Sequence, residues 1–262
     1  MKIENVKTVG VIGGGVMGSG ITQVIVTAGY KVICCDLTDE VLEKTRNAII
    51  NGRYGLKTGV ERGKITAEQM ENALTNLILS TRLEDLKDCE IIIESIGGGT
   101  AEVLEDRSAK LKMFTMLDSI VNEDSIFSSN TSFLTIATLA EAVKRKGRFL
   151  GMHWFRPPVV LPVIELTYTP DTSEETLQLM EAFCKSIGKD GVRVKDVPGD
   201  PGFIGNRLYR VAATEARKLV EEGIASPEDI DKVMELGYGW KMGIFGMSAA
   251  FSSTRQEFQE KK

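Results

Sequence analysis

The sequence predicts an α/β fold, in which a doubly wound, mostly parallel β-sheet is followed by a small, all-helical C-terminal domain. Short apolar runs typical of buried strands alternate with amphipathic helical patterns through the first three quarters of the chain, as repeated β-α-β units require. After the Pro198-Gly-Asp-Pro-Gly202 segment the pattern is helical only. We therefore expect a sheet domain over residues 1–198 and a helical domain over residues 199–262.

Each element is predicted from its period and from the residues that bound it. The expected strands are 8–12, 30–36, 76–80, 89–94, 125–128, 148–152, 164–167 and 192–194. The expected helices are 19–28, 39–51, 67–74, 104–121, 135–144, 174–187, 206–222 and 226–236. The glycine-rich stretch 52–59 is expected to be a connection between two helices.

The composition excludes several classes of function. A net charge of -5 argues against nucleic acid as the main partner, and no run of 18 apolar residues predicts a membrane span. None of the four cysteines forms a CxxC pair, and three of them lie in or beside apolar strand-like runs, so we expect reduced core residues and a cytoplasmic protein. The expected partner is a small molecule.

A glycine-rich turn follows the first predicted strand and leads directly into a helix. It comprises Gly13, Gly15, Val16, Met17 and Gly18. The first glycine permits a tight turn, the second lets the backbone approach a pyrophosphate, and the third lets the helix pack closely on the strand. The free N–H groups of the helix N-terminus then face the phosphates.

An acidic residue completes this nucleotide-binding unit. The next strand ends at Asp36, 18 residues after the last glycine of the turn. A carboxylate at this position accepts hydrogen bonds from the ribose hydroxyls of an adenosine, and it repels the 2'-phosphate of NADP. The sequence therefore predicts a Rossmann-type domain that binds NAD.

The only histidine of the chain, His153, follows an apolar run and precedes two prolines. Glu165 lies 12 residues further on, in a second apolar run, so two strands could place its carboxylate against the imidazole. Such a pair is typical of a general base, whose cation the carboxylate stabilises. The alternative is a histidine that is simply hydrogen-bonded at a strand end. Because the chain has one histidine and no cysteine cluster, the sequence argues against a metal site.

Five separate motifs occur together in this chain. They are the glycine turn, Ser129-Asn-Thr-Ser132, the His153 strand, Glu165 and Pro201-Gly-Phe-Ile-Gly-Asn-Arg207. With them the chain resembles the L-3-hydroxyacyl-CoA dehydrogenase family, over about residues 6 to 243. The resemblance implies an NAD-bound domain and a helical domain that also makes the dimer contact. It further implies oxidation of the 3-hydroxyl of a CoA thioester to a ketone, with the hydride passing to nicotinamide.

The resemblance also implies roles for individual residues. His153 would take the hydroxyl proton, Glu165 would orient His153, and Ser132 and Asn206 would bind the substrate oxygen and its surroundings. Considered without the resemblance, Ser132 and Asn206 could equally be a turn residue and a helix cap.

Glu105 and Lys110 match the residues of this family that contact the nicotinamide side of the cofactor. On their own they resemble exposed charges on a solvated helix. Arg156 stands where the family usually has asparagine, and it favours an acidic substrate or points to solvent. These readings leave the roles of all three side chains open.

Arg156 and the short C-terminal segment leave two alternatives to the thioester dehydrogenase. One is a catalytically weak NAD-binding subunit of a hetero-oligomer. The other is a dehydrogenase of a free β-hydroxy acid, whose carboxylate Arg156 would bind. Assembly as a homodimer or a hetero-oligomer is expected through the helical domain.

Overall fold

A computed structural model describes residues 1–97, 105–197 and 203–250. The chain divides into two compact units, Met1–Phe203 and Ile204–Lys262. The predicted boundary at residue 198 falls outside the described residues. No helix within the described ranges is long and apolar enough to cross a membrane.

The first unit is built on one eight-stranded sheet with the order β3-β2-β1-β4-β5-β6-β7-β8. The strands are β1 (Thr8–Ile12), β2 (Lys31–Cys35), β3 (Leu77–Ser80), β4 (Ile91–Glu94), β5 (Ile126–Ser129), β6 (Phe149–Trp154), β7 (Val163–Tyr168) and β8 (Asp190–Lys195). Among the strand pairs of the described residues, only that of β6 with β7 is antiparallel. The order of the first six strands is that of a Rossmann sheet, whose crevice lies between the carboxyl ends of β1 and β4. The predicted fold class is confirmed.

Helices accompany the strands along the chain. The helices of the first unit are α1 (Val16–Thr27), α2 (Asp39–Asn51), α3 (Leu56–Glu61), α4 (Ala67–Asn76), α5 (Arg107–Ile120), α6 (Ile136–Ala140) and α7 (Glu174–Ser186). Successive residues of one strand pack into different clusters, because side chains alternate between the two faces of a sheet. Ile91 and Ile93 belong to one apolar cluster and Ile92 to another. The sheet is therefore covered on both faces.

Three local predictions were wrong. The glycine-rich stretch contains helix α3, since Gly55 precedes the helix and Leu56 is fully buried in the core. The helix expected over 135–144 ends at Ala140, after which the chain continues in tighter turns. Strand β6 extends two residues beyond its predicted end and so includes His153. The predicted start of α5 at residue 104 lies outside the described residues.

The second unit is helical in the part that the structure describes. It contains α8 (Gly205–Glu221), α9 (Pro227–Tyr238) and a helical stretch that begins at residue 244. Ser226 caps α9 by accepting a hydrogen bond from the Asp229 N–H, with proline at the first helical position. The small apolar core of the second unit is formed by Ala213, Ala216, Ile230 and Ile244.

Candidate active site

The glycine turn lies directly after β1, at the crevice of the sheet. Gly13 has φ of +96°, and a Cβ atom there would lie 2.6 Å from the Ser95 carbonyl oxygen, so only glycine fits. A Cβ atom on Gly18 would lie 1.6 Å from the Gly13 carbonyl oxygen, so this glycine lets α1 pack against the turn. A Cβ atom on Gly15, in contrast, would meet nothing within 4 Å. The space in front of the helix N-terminus is therefore open to a pyrophosphate.

Asp36 follows β2 and lies beside this turn. Its Oδ2 atom accepts a hydrogen bond of 2.6 Å from the Gly14 N–H, and its Oδ1 atom accepts one of 2.7 Å from the Leu37 N–H. The carboxylate is thus tied to the turn that would hold the pyrophosphate. This placement fits the ribose of an adenine dinucleotide.

The histidine and the glutamate predicted to form a pair are directly opposite each other on β6 and β7. The distance between His153 Nδ1 and Glu165 Oε2 is 2.6 Å, and both residues are buried. Carboxylate contact at Nδ1 sets the orientation of the ring and leaves Nε2 for proton exchange. The geometry therefore suits a general base better than a histidine with only a structural hydrogen bond.

Ser132 occupies the other side of the ring. Its Oγ atom lies 3.1 Å from His153 Nε2. The rings of Phe155 and Phe203 have their centroids 5.1 and 5.3 Å from that of His153. An alcohol that approached Nε2 would meet the serine hydroxyl beside apolar walls.

Glu105 and Lys110 are not exposed charges on a solvated helix, and that reading of the sequence was wrong. Lys110 is 2% exposed and lies between two carboxylates, 2.9 Å from Glu94 Oε1 and 2.9 Å from Glu105 Oε2. Glu105 in turn accepts hydrogen bonds from the Ser132 N–H at 2.7 Å and from the Thr131 hydroxyl at 2.6 Å. Lys110 lies on the buried face of α5, and Glu105, just before the helix, is partly buried beside it.

Burial and charge oppose each other in this group. Burial disfavours the Lys110 ammonium, but Glu94 and Glu105 together outweigh that effect and raise the pKa of Lys110. Burial raises the pKa of the Glu94 carboxyl, against the opposing effect of Lys110 and of the Ser129 hydroxyl. Lys110 is therefore held as a cation.

Arg156 and Asn206 were also predicted to be site residues. Arg156 follows β6 by two residues and is exposed. Asn206 belongs to the second unit, as the second residue of α8.

Sequence reasoning missed Glu94 and Phe203. Glu94 ends a strand of three isoleucines at the carboxyl edge of a parallel sheet. A charge that closes a fully apolar strand was the available signal, because such a residue must find a partner inside the protein. Phe203 carried no comparable signal, since only the folded chain brings its ring near the imidazole.

Known proteins match the chain over most of its length. The family model described as "3-hydroxyacyl-CoA dehydrogenase, NAD binding domain" matches residues 8–197, and the model of the C-terminal domain of the same family matches residues 202–255. The mitochondrial hydroxyacyl-coenzyme A dehydrogenase of Rattus norvegicus is 39% identical over 242 residues, which are 92% of this chain and 74% of that protein. The 3-hydroxybutyryl-CoA dehydrogenase of Mycobacterium tuberculosis is 36% identical over 94% of this chain and 82% of that protein.

Solved structures agree with these matches. The crystal structure of (S)-3-hydroxybutyryl-CoA dehydrogenase PaaH1 from Ralstonia eutropha superposes with a TM-score of 0.82 at 34% identity, and it covers 92% of this chain and 80% of that one. The open glycine turn and the neighbouring Asp36 carboxylate fit the dinucleotide that the matched domain binds. The chain therefore belongs to the 3-hydroxyacyl-CoA dehydrogenase family and is an oxidoreductase with NAD as its cofactor.

Proposed function

We propose that His153 is the general base in the NAD-dependent oxidation of a 3-hydroxyacyl-CoA thioester by this chain, and that Glu165 orients it. The observation that carries the proposal is the position of the ring between Glu165 Oε2 at Nδ1 and Ser132 Oγ at Nε2. A base held in this way exchanges a proton only through Nε2. The product is the 3-oxoacyl-CoA.

Ser132, His153 and Glu165 have different roles in the proposed reaction. The substrate hydroxyl binds beside Ser132 and donates its proton to His153 Nε2, and Glu165 stabilises the imidazolium that results. NAD supplies the hydride acceptor when it is bound. The protein contributes position, a base and a largely dry surrounding, because His153 and Glu165 are both buried.

The cofactor residues follow from the same proposal. The turn Gly13–Gly18 would hold the pyrophosphate and Asp36 the adenosine ribose. Glu105 and Lys110 would lie on the nicotinamide side. This is supported by the hydrogen bond of Glu105 to the Ser132 turn, which comprises residues 131–134, and by the ion pair of Lys110 with Glu105. For Asn206 and Arg156 as substrate contacts, the proposal rests on the motif in which each residue stands.

The test is NADH formation, followed at 340 nm, with purified protein, NAD and a panel of 3-hydroxyacyl-CoA thioesters. The panel includes straight, branched and acidic acyl groups, and free β-hydroxy acids are assayed beside it. We expect turnover of thioesters and a loss of about 10²- to 10⁴-fold in kcat for His153→Gln. Turnover of free acids alone, or a His153→Gln variant with unchanged kcat, would contradict the proposal.

The alternative of a catalytically weak subunit makes a different prediction in this assay. It requires NAD to bind normally while no thioester is turned over. The pairing of His153 with Glu165 and Ser132 speaks against it, because these contacts are the ones that the chemistry needs.

We propose further that residues 199–262 form the substrate and dimerisation domain and that two copies of the chain associate through it. Apolar side chains that are three residues apart lie on one face of a helix, and two such pairs are exposed here. Leu208 and Val211 form the pair on α8, and Val233 and Leu236 form the pair on α9. Leu236 is 79% exposed.

Sedimentation equilibrium tests this assembly. We expect a dimer for the native sequence and a monomer for Leu236→Glu, because a buried carboxylate opposes an apolar contact. Leu37→Glu is the matched control, since Leu37 is 91% exposed in the first unit and should leave the assembly unchanged. A native monomer, or a dimer that Leu236→Glu does not weaken, would contradict the proposal.

A further inference from the structure

Glu94 is a buried acid that takes no direct part in the chemistry described above. It lies at the carboxyl end of β4 with 0% exposure. Its Oε1 atom accepts a hydrogen bond of 2.6 Å from the Ile96 N–H and lies 2.9 Å from Lys110 Nζ. Its Oε2 atom accepts hydrogen bonds from the Ser129 hydroxyl and, at 3.1 Å, from Lys110. The backbone just after β4 and the side chains of Ser129 and Lys110 therefore fix the carboxylate, and both of its oxygens accept hydrogen bonds.

From Glu94 a continuous series of contacts leads to the catalytic base. Lys110 Nζ lies 2.9 Å from Glu105 Oε2, and Glu105 Oε1 accepts a hydrogen bond of 2.7 Å from the Ser132 N–H. The Ser132 hydroxyl lies 3.1 Å from His153 Nε2. Each contact involves a charged partner or a buried side chain. We therefore expect a displacement of Glu94 to change the position of Ser132 beside His153.

A purely structural role explains this group poorly. Two carboxylates and an ammonium inside a protein pay a desolvation cost that apolar side chains of the same volume avoid. The neighbouring positions on α5, Met113, Phe114 and Leu117, do pack with apolar side chains. Charge at Lys110 is therefore required by something other than the packing of α5 on the sheet.

The Lys110 ammonium donates hydrogen bonds to two carboxylates, those of Glu94 and Glu105, and the two contacts together define its position. Glu105 precedes α5, at the edge of a segment that the structure does not describe, and its contact with Lys110 ties it to the helix. Glu94 ties Lys110 to the sheet. Strand β4 is the rigid end of this series of contacts. The Ser132 turn is the end whose position the contacts determine.

We propose that Glu94 is a positioning residue for the reaction, which acts through Lys110 and Glu105 to hold the Ser132 turn against His153. The inference rests on the proposed function of His153 and Ser132. Glu94 itself touches neither the alcohol nor the transferred hydrogen. Replacement of Glu94 therefore lowers the rate of the chemical step and leaves the binding of the substrate unaffected.

Glu94→Gln tests this, because the amide keeps the size and one acceptor oxygen but removes the charge. We expect kcat to fall about 10- to 100-fold, as a displacement of about 1 Å at a reacting group produces, while KM for the thioester changes less than about twofold. Glu90→Gln is the matched control. Glu90 precedes the same strand at its other end, where it accepts the Lys7 and Thr8 N–H groups, and this variant should retain its kcat.

Amide hydrogen exchange without substrate gives a second readout, independent of turnover. The Ser132 N–H is protected by Glu105, so Glu94→Gln should accelerate exchange in residues 131–134. Glu90→Gln should leave that exchange unchanged. Unchanged exchange together with unchanged kcat in Glu94→Gln would overturn the proposal.

The double variant Glu94→Gln/Lys110→Met separates positioning from stability. Lys110→Met alone leaves the carboxylates of Glu94 and Glu105 without their cation, whereas the double variant leaves only that of Glu105, so its Tm should lie above that of Lys110→Met. Because Glu105 has then lost its anchor, kcat should remain low. Recovery of kcat along with Tm would show that Glu94 serves only the fold, and would overturn the proposal.

The same set of proteins distinguishes this inference from the proposed function. If the native chain turns over thioesters and His153→Gln does not, a normal kcat and normal exchange in Glu94→Gln refute the positioning role alone. If the native chain turns over no thioester, the proposed function fails, and the exchange of residues 131–134 still decides whether Glu94 holds the turn.

Discussion

The His153–Glu165 pair and the Glu94–Lys110–Glu105 group both bury charge in the first unit, but they are assembled differently. The pair joins two neighbouring antiparallel strands, directly opposite in register. The group joins a strand, a helix and the segment before that helix. In the pair, the second nitrogen of the ring, Nε2, contacts the hydroxyl of Ser132. In the group, both oxygens of Glu94 and the ammonium are already engaged.

This difference separates two uses of buried charge. A group whose charges are all paired with one another holds other residues in place, whereas a base whose second nitrogen faces a hydroxyl can exchange a proton. Substitutions in the pair should therefore reduce the rate with little effect on stability. Substitutions in the group should reduce the free energy of unfolding as well as the rate.

The largest expected effect is that of Glu165→Gln. The amide no longer stabilises the imidazolium and can favour the wrong tautomer, so we expect kcat to fall about 10²- to 10⁴-fold. The free energy of unfolding should change by only about 1 kcal/mol, since a hydrogen bond to the ring can still form. Steady-state assays and urea unfolding measure the two quantities. The exposed Glu141→Gln is the control, and a loss of stability larger than the loss of rate would break the comparison.

Lys110→Met tests the other side of the comparison. It leaves Glu94 and Glu105 buried without their cation, and breaking a buried pair in this way costs about 3–5 kcal/mol. Lys112→Met, two residues along the same helix and exposed, should change the free energy of unfolding by less than about 0.5 kcal/mol. Urea unfolding of both variants is the measurement. Equal stabilities would mean that the charge at position 110 does not hold the group together.

The smallest effect concerns a buried group that carries no charge. Burial raises the pKa of the Cys34 thiol from its ordinary value of 9.0 to about 11. Between these values the folded thiol keeps a proton that the unfolded thiol has lost. The stabilisation is therefore complete below pH 9 and is lost as the pH rises toward 11, by about 1.4 kcal/mol per pH unit.

Urea unfolding at pH 8, 9 and 10 measures this contribution as a slope of stability against pH, and Cys34→Ala should make the slope shallower. Ellman's reagent provides the companion measurement. All four cysteines are buried, so the native protein at pH 8 should react only as it unfolds. Rapid reaction of the native protein would contradict this prediction.

Local patterns were sufficient wherever structure depends on neighbours in the chain. The alternation of strands and helices, the glycine turn and Asp36 all follow from periods and spacings within about 30 residues, which is the length of one β-α-β unit. Helix α2 spans the predicted residues, and Thr38 caps it as its side chain requires. The errors lay at Gly55 and after Ala140, where glycine or a weak amphipathic pattern competed with burial.

Sequence by itself determined the fold class and the cofactor, and it predicted His153 as the base. His153 and Glu165 could be paired because they lie on consecutive strands, whose register is short-range information. The tertiary structure alone decided which partners Lys110 and Glu105 have. Their spacing on the chain suited an exposed helix, and only the packing of α5 against the sheet brings Glu94 to Lys110 and the Ser132 turn to Glu105. Charge is buried there because partners from distant segments compensate it, and no local pattern records such partners.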